Sequence, residues 1–166
     1  MNKEKYEKIL CIDPSGTGTT GFFFISRFEN NKEFYDFQQK NWEEHLKFII
    51  NLVKKKRPQI IIFEHTNYIS IRGKDMTSLF KLFGAIQTLC YVFDFLEEVC
   101  YIPVNKVKEI KKNIYKKIKN IDNLFYKTGR GYGWMYCKKR LSIHQLDAFF
   151  LYHLWERKYT EKKLFI

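Results

Sequence analysis

The sequence has few cysteines, and none of them are spaced to bind zinc. No C-x-x-C pair is present, and three of the four cysteines lie in apolar runs: Cys11, Cys90, Cys100 and Cys137. A zinc site or a small disulfide framework would need closely spaced cysteines, so neither is indicated. We expect reduced, buried thiols in an intracellular, cytoplasmic protein.

The sequence also lacks the long apolar stretches from which a signal peptide or a membrane span would be expected. Residues Met1–Lys5 contain no apolar stretch of the kind found in signal peptides. The most apolar segment, Leu79–Leu96, is interrupted by Lys81, Gln87 and Asp94. A membrane helix needs about 20 mostly apolar residues, so this segment is predicted to be a core helix, and no membrane association is expected.

Acidic residues are scarce beside basic ones. There are 18 of them against 30 lysines and arginines, which leaves a net charge of +12. This excess predicts a polyanionic partner, with nucleic acid as the first candidate. A solvated, lysine-rich surface from an AT-rich genome is the alternative, although base composition alone should not make the charge so one-sided. With 45% apolar residues, the chain is expected to form one globular domain over residues 1–166.

Apolar periodicity predicts an α/β fold in the order β-β-β-α-β-α-β-α-α. The first three strands are expected to form an antiparallel meander within a mixed sheet that has helices on its faces. Ser142 and Gln145 form a capping box at the start of the last helix. The predicted strands are 8–13, 21–27, 33–39, 59–64 and 99–104. The predicted helices are 42–56, 75–98, 106–119 and one that begins at 142, and Asn105 is expected to cap the third of them. Residues 127–134 are predicted to be a loop.

A glycine-rich turn follows the first strand. Residues Gly16–Gly21 spell G-x-G-x-x-G, which in dinucleotide-binding proteins opens a helix. Here the next residues, Phe22–Ile25, have the pattern of a buried strand. We therefore predict a hairpin turn in which the glycines permit positive φ, and no dinucleotide site.

Three acids stand at the ends of predicted elements. Asp13 and Glu64 each end a strand expected to be central, and Asp147 lies early in the last helix, on the same face as His144. Some of these residues have a simpler explanation when taken alone: an Asx turn for Asp13, a helix-dipole partner for Asp147 and a core histidine for His144. Glu64 is harder to dismiss, since an unpaired buried acid is costly. Taken together, the acids predict a cluster that holds two metal ions against a nucleic-acid backbone.

The ordered motifs resemble the RuvC-type Holliday junction resolvases of the RNase H-like superfamily. The resemblance covers almost the whole chain, and its departures and short length suggest a phage or mobile-element member. The residues that carry it are D-P-S-G at Asp13, I-I-I-F-E ending at Glu64, Thr77–Ala85, Ile102–Glu109 and H-x-x-D-A at His144–Ala148.

The resemblance implies an RNase H-like fold with a five-stranded sheet and a metal-dependent endonuclease. Such an enzyme works as a homodimer, nicks two opposed strands of a four-way DNA junction and leaves 5′-phosphates. Mg²⁺ would be the metal, with Mn²⁺ able to substitute, and the implied ligands are Asp13, Glu64, His144 and Asp147. Lys108 matches a lysine near the cleaved phosphate, so it joins these four as a catalytic residue.

Further residues are predicted to contact nucleic acid. Tyr68 is the nearest match to an aromatic residue that stacks near the junction centre in the family, and basic side chains follow along the chain: Arg72, Lys74, Lys108, Lys111, Lys127 and Arg130. One face of the long central helix is expected to contribute to the dimer contact, through Leu79, Phe83, Ile86 and Cys90.

Three other functions stay open at this stage. One alternative is an RNase H-like nuclease that acts on structured RNA or on other branched DNA. A non-catalytic junction-binding protein is a second alternative, although such a protein has no reason to keep all three acids. An actin- or hexokinase-like phosphotransferase is the third, but it needs a second domain, which 166 residues do not provide.

Overall fold

The computed structural model describes residues 6–66, 74–109, 124–127 and 133–162. Within them, a helix α3 begins at residue 104 and is described as far as 109. The strands are β1 Lys8–Asp13, β2 Thr19–Ser26, β3 Asn31–Gln38, β4 Ile60–His65, β5 Glu98–Pro103, β6 Leu124–Lys127, β7 Gly133–Tyr136 and β8 Lys139–Arg140. The other helices are α1 Trp42–Lys56, α2 Lys74–Gln87 and α4 Ile143–Lys162.

The central sheet has five strands in the order β3-β2-β1-β4-β5. Strands β1, β2 and β3 form an antiparallel meander, and β4 and β5 continue the sheet in parallel with β1. The predicted mixed sheet is therefore confirmed. Strand β1 lies at the centre and its side chains are buried on both faces, which explains its continuous apolar sequence.

Each face of the sheet carries its own apolar core, as alternation along the strands requires. On one face, Cys11, Phe23 and Ile62 pack against α4. On the other face, Leu10, Phe22 and Ile61 pack against α1 and α2. The helices therefore lie on both faces of the sheet, as predicted.

Helix α1 has the bounds that its amphipathic pattern predicts. Glu43 and Glu44 lie in the first turn and three lysines lie in the last turn, so both ends carry charges that suit the helix dipole. Arg57 ends the helix in the left-handed conformation, with its N–H bonded to the carbonyl of Val53. Pro58 follows and prevents the helix from continuing.

Helix α2 is shorter than the predicted helix 75–98. It ends at Gln87, a 3-10 turn covers Thr88–Tyr91, and β5 begins at Glu98. The hydroxyl of Thr88 donates a hydrogen bond to the carbonyl of Ala85, so the last turn is satisfied by a side chain. The chain then folds back, which buries Leu96 in the core.

Two other sequence predictions differ from the structure. Helix α3 already includes Asn105, so this residue is not its cap. Lys127 lies in β6, and Gly133 and Trp134 lie in β7, although the sequence predicted a loop over 127–134. Strand β7 pairs with β6 and β8 in a small antiparallel sheet. Trp134 and Leu141 are buried, and they attach this small sheet to the α4 core.

Several expectations about surfaces are also resolved among the described residues. No helix there is both long and apolar enough to cross a membrane. All four cysteines are free; Cys11 is buried, but Cys137 is exposed, contrary to the expectation of buried thiols. Phe83 and Ile86 are buried in the core of their own chain, so they cannot form the predicted dimer contact.

An ion pair joins the edge strand β3 to the end of α1. Lys56 Nζ lies 2.6 Å and 2.7 Å from the two carboxylate oxygens of Glu33, and the hydroxyl of Tyr35 donates a further hydrogen bond to the same carboxylate. Partial burial opposes ionisation, yet the hydrogen bonds from Lys56 and Tyr35 outweigh it and lower the pKa of Glu33. A lowered pKa means that this carboxylate stabilises the fold at neutral pH.

We predict that Glu33→Gln lowers the free energy of unfolding at pH 7 by about 1–2 kcal/mol, because the ion pair and its charged hydrogen bonds are lost. The difference from the parent protein should shrink as the pH falls below 4.5, the ordinary pKa of a glutamate, since the parent then loses the same charge. Urea unfolding at several pH values measures the loss of stability at pH 7 and its decrease at low pH. The exposed pair of Glu44 with Lys47 is the control, and Glu44→Gln should change little. An equal loss at all pH values would contradict the prediction.

Candidate active site

One row of residues crosses the sheet at the end of β1. Gly21 of β2 pairs with Asp13 on one side and with Asp36 of β3 on the other. In the parallel direction, Ile12 pairs with Phe63, so Asp13 and Glu64 stand at the same level on neighbouring strands. Cross-strand neighbours point to the same face, and here that face is the one covered by α4.

Asp13 and Glu64 line one pocket of about 220 Å³ at this end of the sheet. Lys108 of α3 lies in the same lining, so a cationic side chain faces the two acids. The rest of the wall is Pro14, Thr66, Leu79, Phe83 and Val104. The pocket therefore combines two carboxylates and one ammonium group with a largely apolar wall.

The start of α4 is fixed above this row by a capping box. The N–H of Gln145 donates to Ser142 Oγ at 3.0 Å, and Gln145 Oε1 accepts from the N–H of Ser142 at 3.1 Å, as the sequence predicted. Ser142 Oγ also donates to Asp36 Oδ1 at 2.9 Å. The helix is thus tied to β3 through the residue that caps its N-terminus.

Gly21 allows this helix to lie directly on the strand. A Cβ atom at Gly21 would lie 2.2 Å from the backbone carbon and oxygen of His144, far inside any allowed contact. Gly16 has a similar role, because a Cβ there would lie 2.6 Å from the backbone nitrogen of Leu79. Neither glycine has positive φ, so the sequence-based reason for them was wrong. They are required by close packing.

His144 bonds to Asp13 across the contact between α4 and β1. Its Nδ1 lies 2.8 Å from Asp13 Oδ2, and a carboxylate can only accept, so Nδ1 carries the proton. This hydrogen bond raises the pKa of His144; partial burial opposes the shift, and the charges of Asp13, Asp147 and Asp36 add to it. Three acids therefore surround one imidazole, and Asp147 is one turn further along the same helix.

A buried network holds the turn that follows Asp13. Thr20 Oγ1 lies 2.8 Å from Nδ1 of His45, and the backbone N–H of Ser15 donates to the same hydroxyl at 3.0 Å. His45 Nε2 lies 2.9 Å from the carbonyl oxygen of Gln39, which can only accept. Nε2 is therefore the donor, and Nδ1 accepts from Thr20. Both Thr20 and His45 are fully buried, so α1 positions the turn through this network.

The donor chemistry fits a hard divalent cation. Mg²⁺ prefers carboxylate oxygens and keeps several waters, so two carboxylates in one pocket suit it. With Nδ1 of His144 donating to Asp13, its Nε2 is the nitrogen left for a ligand. Among the described residues, however, no three His, Cys, Asp or Glu side chains are already grouped as a metal site. The donors are present, but they are not gathered into one coordination sphere.

The other predicted site residues fall into two groups. Lys74 is the first residue of α2, and Lys127 is the last residue of β6. The remaining four predicted contacts lie outside the described residues: Tyr68, Arg72, Lys111 and Arg130.

Sequence reasoning missed Asp36, Thr20 and His45. Asp36 belongs to the site because of strand register, which the sequence of β3 does not reveal by itself. A signal for His45 was present, since a histidine on the apolar face of an amphipathic helix needs a buried partner. Thr20 in the glycine-rich turn is that partner.

Comparison with solved structures identifies the fold. RuvC from T. thermophilus, solved in complex with a Holliday junction substrate, superposes with a TM-score of 0.58 at 12% identity, over 87% of this chain and 88% of that one. The yeast mitochondrial Holliday junction resolvase Ydc2 gives a TM-score of 0.50 at 12% identity, over 68% of this chain and 57% of that one. No protein-family model and no curated protein matches the sequence. The chain therefore has the RNase H-like fold of RuvC.

We predict that Gly21→Ala displaces the first turn of α4 and separates His144 from Asp13, because the added methyl group meets helix backbone. The free energy of unfolding should fall by about 1–3 kcal/mol, as for other overpacked sites. Gly84→Ala is the matched control, since nothing lies within 4 Å of a Cβ there. That change in a helix should raise stability by roughly 0.5–1 kcal/mol. Equal effects of the two substitutions in urea unfolding would refute the packing argument.

We also predict that Thr20→Val costs about 1–3 kcal/mol, because the N–H of Ser15 and Nδ1 of His45 lose their partner inside the protein. Thr88→Val removes the hydroxyl of an exposed threonine and should change stability by less than about 0.5 kcal/mol. Thermal unfolding of the two variants side by side measures the difference. Similar midpoints would mean that the buried network does not stabilise the turn.

Proposed function

We propose that this chain is a metal-dependent endonuclease that resolves four-way DNA junctions by paired nicks in opposed strands. The single observation that carries the proposal is the position of Asp13 and Glu64: they stand side by side at the ends of β1 and β4, in one pocket with Lys108. The RNase H-like fold and the net charge of +12 support it, since the latter suits a polyanionic substrate.

In this proposal the chain's own residues divide the work. Asp13, Glu64, Asp147 and His144 hold Mg²⁺, and Mn²⁺ can replace it. Lys108, exposed on α3 and part of the pocket lining, holds the phosphate at the cleaved bond. When two such ions are bound, they supply a water nucleophile at neutral pH and stabilise charge on the leaving oxygen, which leaves a 5′-phosphate. Leu79 and Phe83 of α2 form part of the apolar wall of the same pocket.

The substrate also suggests the assembly. The described residues form one pocket with this pair of acids. A four-way junction needs two cuts, in strands that are related by a two-fold axis. Two copies arranged about the same axis would place one pocket on each strand. We therefore propose a homodimer, with Tyr68, Arg72, Lys74, Lys111, Lys127 and Arg130 among its further contacts to DNA.

We predict that Asp13→Asn, Glu64→Gln and Asp147→Asn each reduce nicking of a synthetic four-way junction in Mg²⁺ by at least about 100-fold, comparable to the loss of one preorganised electrostatic contact. Junction binding should persist, because basic side chains and not the acids hold the phosphates. Asp94→Asn and Glu44→Gln are the matched controls at exposed sites, and both should cleave normally. Mapping the ends on denaturing gels shows whether the two nicks are opposed and carry 5′-phosphates.

The same assay separates the alternatives. Cleavage of a structured RNA in preference to the junction would assign the site to RNA processing. Tight junction binding without cleavage in Mg²⁺ or Mn²⁺ would indicate a binding protein. Normal cleavage by any one acid variant would remove that residue from the proposed metal site.

A further inference from the structure

The small sheet carries a two-residue turn that the proposed chemistry does not use. Cys137 and Lys138 join β7 to β8, and both have positive φ, at 45° and 68°. Two successive residues of this kind form the type I′ turn that hairpins favour, although Asn-Gly is the usual sequence for it. Non-glycine residues in this conformation cost of order 1–3 kcal/mol each, and such strain often marks a functional position.

The tip of this hairpin is strongly basic. Lys138, Lys139 and Arg140 follow one another, and all three are exposed. No ion pair joins any of them to a carboxylate of the described residues, whereas Lys47 and Lys56 each have one. Three neighbouring positive charges on this turn form a surface that suits a row of phosphates.

The hairpin is rigidly attached to the core. Trp134 is buried against Phe150, and the ring of Tyr136 lies 5.0 Å from that of Phe34. The N–H of Leu141 donates to the carbonyl of Trp134 at 2.9 Å, which continues the pairing past the end of β8. The basic tip therefore keeps a fixed position relative to the sheet.

The guanidinium of Arg140 lies against the backbone of Gly133. A Cβ atom at Gly133 would lie 3.0 Å from Nε and 3.6 Å from Cζ of Arg140. Gly133 has φ of 148°, which only glycine adopts readily. Because Gly133 has no side chain, the guanidinium of Arg140 can pack directly against its backbone.

The hairpin also lies close to the proposed site along the chain. Arg140 is two residues before Ser142, which bonds to Asp36, and four before His144, which bonds to Asp13. Four residues span at most about 14 Å. Lys138, the furthest of the three basic residues, is six residues before His144 and so at most about 21 Å away along the chain. Duplex DNA advances about 3.4 Å per nucleotide, so the tip can reach backbone within about six nucleotides of a strand held at Asp13.

We propose that the β7–β8 tip, Lys138, Lys139 and Arg140, is a second phosphate-binding surface that holds the backbone of a DNA duplex arm beside the pocket. It would bind without reading the sequence, because it offers charges to phosphates and no groove-reading element. The inference rests on the proposed function for its substrate, but it concerns binding, which can be measured without cleavage.

The test compares two double variants that remove the same charge. One is Lys138→Asn with Lys139→Gln, since asparagine tolerates positive φ. The control is Lys54→Gln with Lys55→Gln: these exposed lysines lie in the last turn of α1, beside the start of β4 and so at the end of the sheet opposite Asp13. Fluorescence anisotropy measures affinity for a four-way junction and for a linear duplex without divalent metal, over a series of salt concentrations.

The hairpin variant should lower the slope of log affinity against log salt by about 1.8, because each lost phosphate contact removes about 0.9. Its affinity at low salt should fall by on the order of tenfold or more on both DNAs. The α1 variant should leave the slope unchanged, and Lys138→Arg with Lys139→Arg should retain it. An unchanged slope in the hairpin variant, or an equal loss in both, would overturn the proposal.

Failure of this inference can be told apart from failure of the proposed function. A parent protein that cleaves junctions, with a hairpin variant that binds normally, would refute only the second surface. Hairpin-dependent binding to DNA by a protein that cleaves no branched substrate would refute the nuclease and support the surface.

Discussion

The contact between the first turn of α4 and Gly21 is the constraint on which the site depends. Because β2 has no side chain at this point, the helix backbone rests directly on the strand. His144 can then reach Asp13 on one side, and Ser142 can reach Asp36 on the other. A larger residue would hold the helix away and separate all of these pairs at once.

The protein is strongly basic overall, but several of its acids lie close together at the candidate active site. The chain has a net charge of +12, yet Asp13, Glu64, Asp36 and Asp147 gather near one imidazole or one pocket. The basic surface attracts a polyanion from a distance, whereas the acids repel its phosphates at close range. The divalent ions proposed here would resolve that conflict, since they hold carboxylates and phosphate oxygens together. The positive charge of Lys108 at the pocket also offsets the repulsion between the acids and the phosphates.

Much of the fold followed from local patterns in the sequence. Strand β1 had the predicted bounds because it is a continuous apolar run, and helix α1 because its apolar residues recur with a helical period. The capping box at Ser142 marked the start of α4. Asp13 and Glu64 were placed correctly because both end apolar strands that were expected to be central.

The errors came from interactions between distant parts of the chain. Gly16 and Gly21 are required because the backbones of α2 and α4 pack directly against them, and both helices lie much later in the sequence. The sequence of the turn alone therefore led to the wrong prediction of positive φ at these glycines. Strands β6 to β8 have four, four and two residues, too few to show alternation, and their turn contains Cys137 and Lys138 instead of glycine. Asp36 depended on strand register, and His45 on a buried partner in another element.

The 131 positions that separate Asp13 from His144 have a consequence for the protein during its synthesis. The meander and β4 come from the first part of the chain, so the carboxylates of β1 and β4 can meet while the ribosome is still adding residues. The imidazole that bonds to Asp13 arrives only with α4, much later in the chain than β1 and β4. A nascent chain would thus carry the acidic pair without its helical cover until α4 has been made.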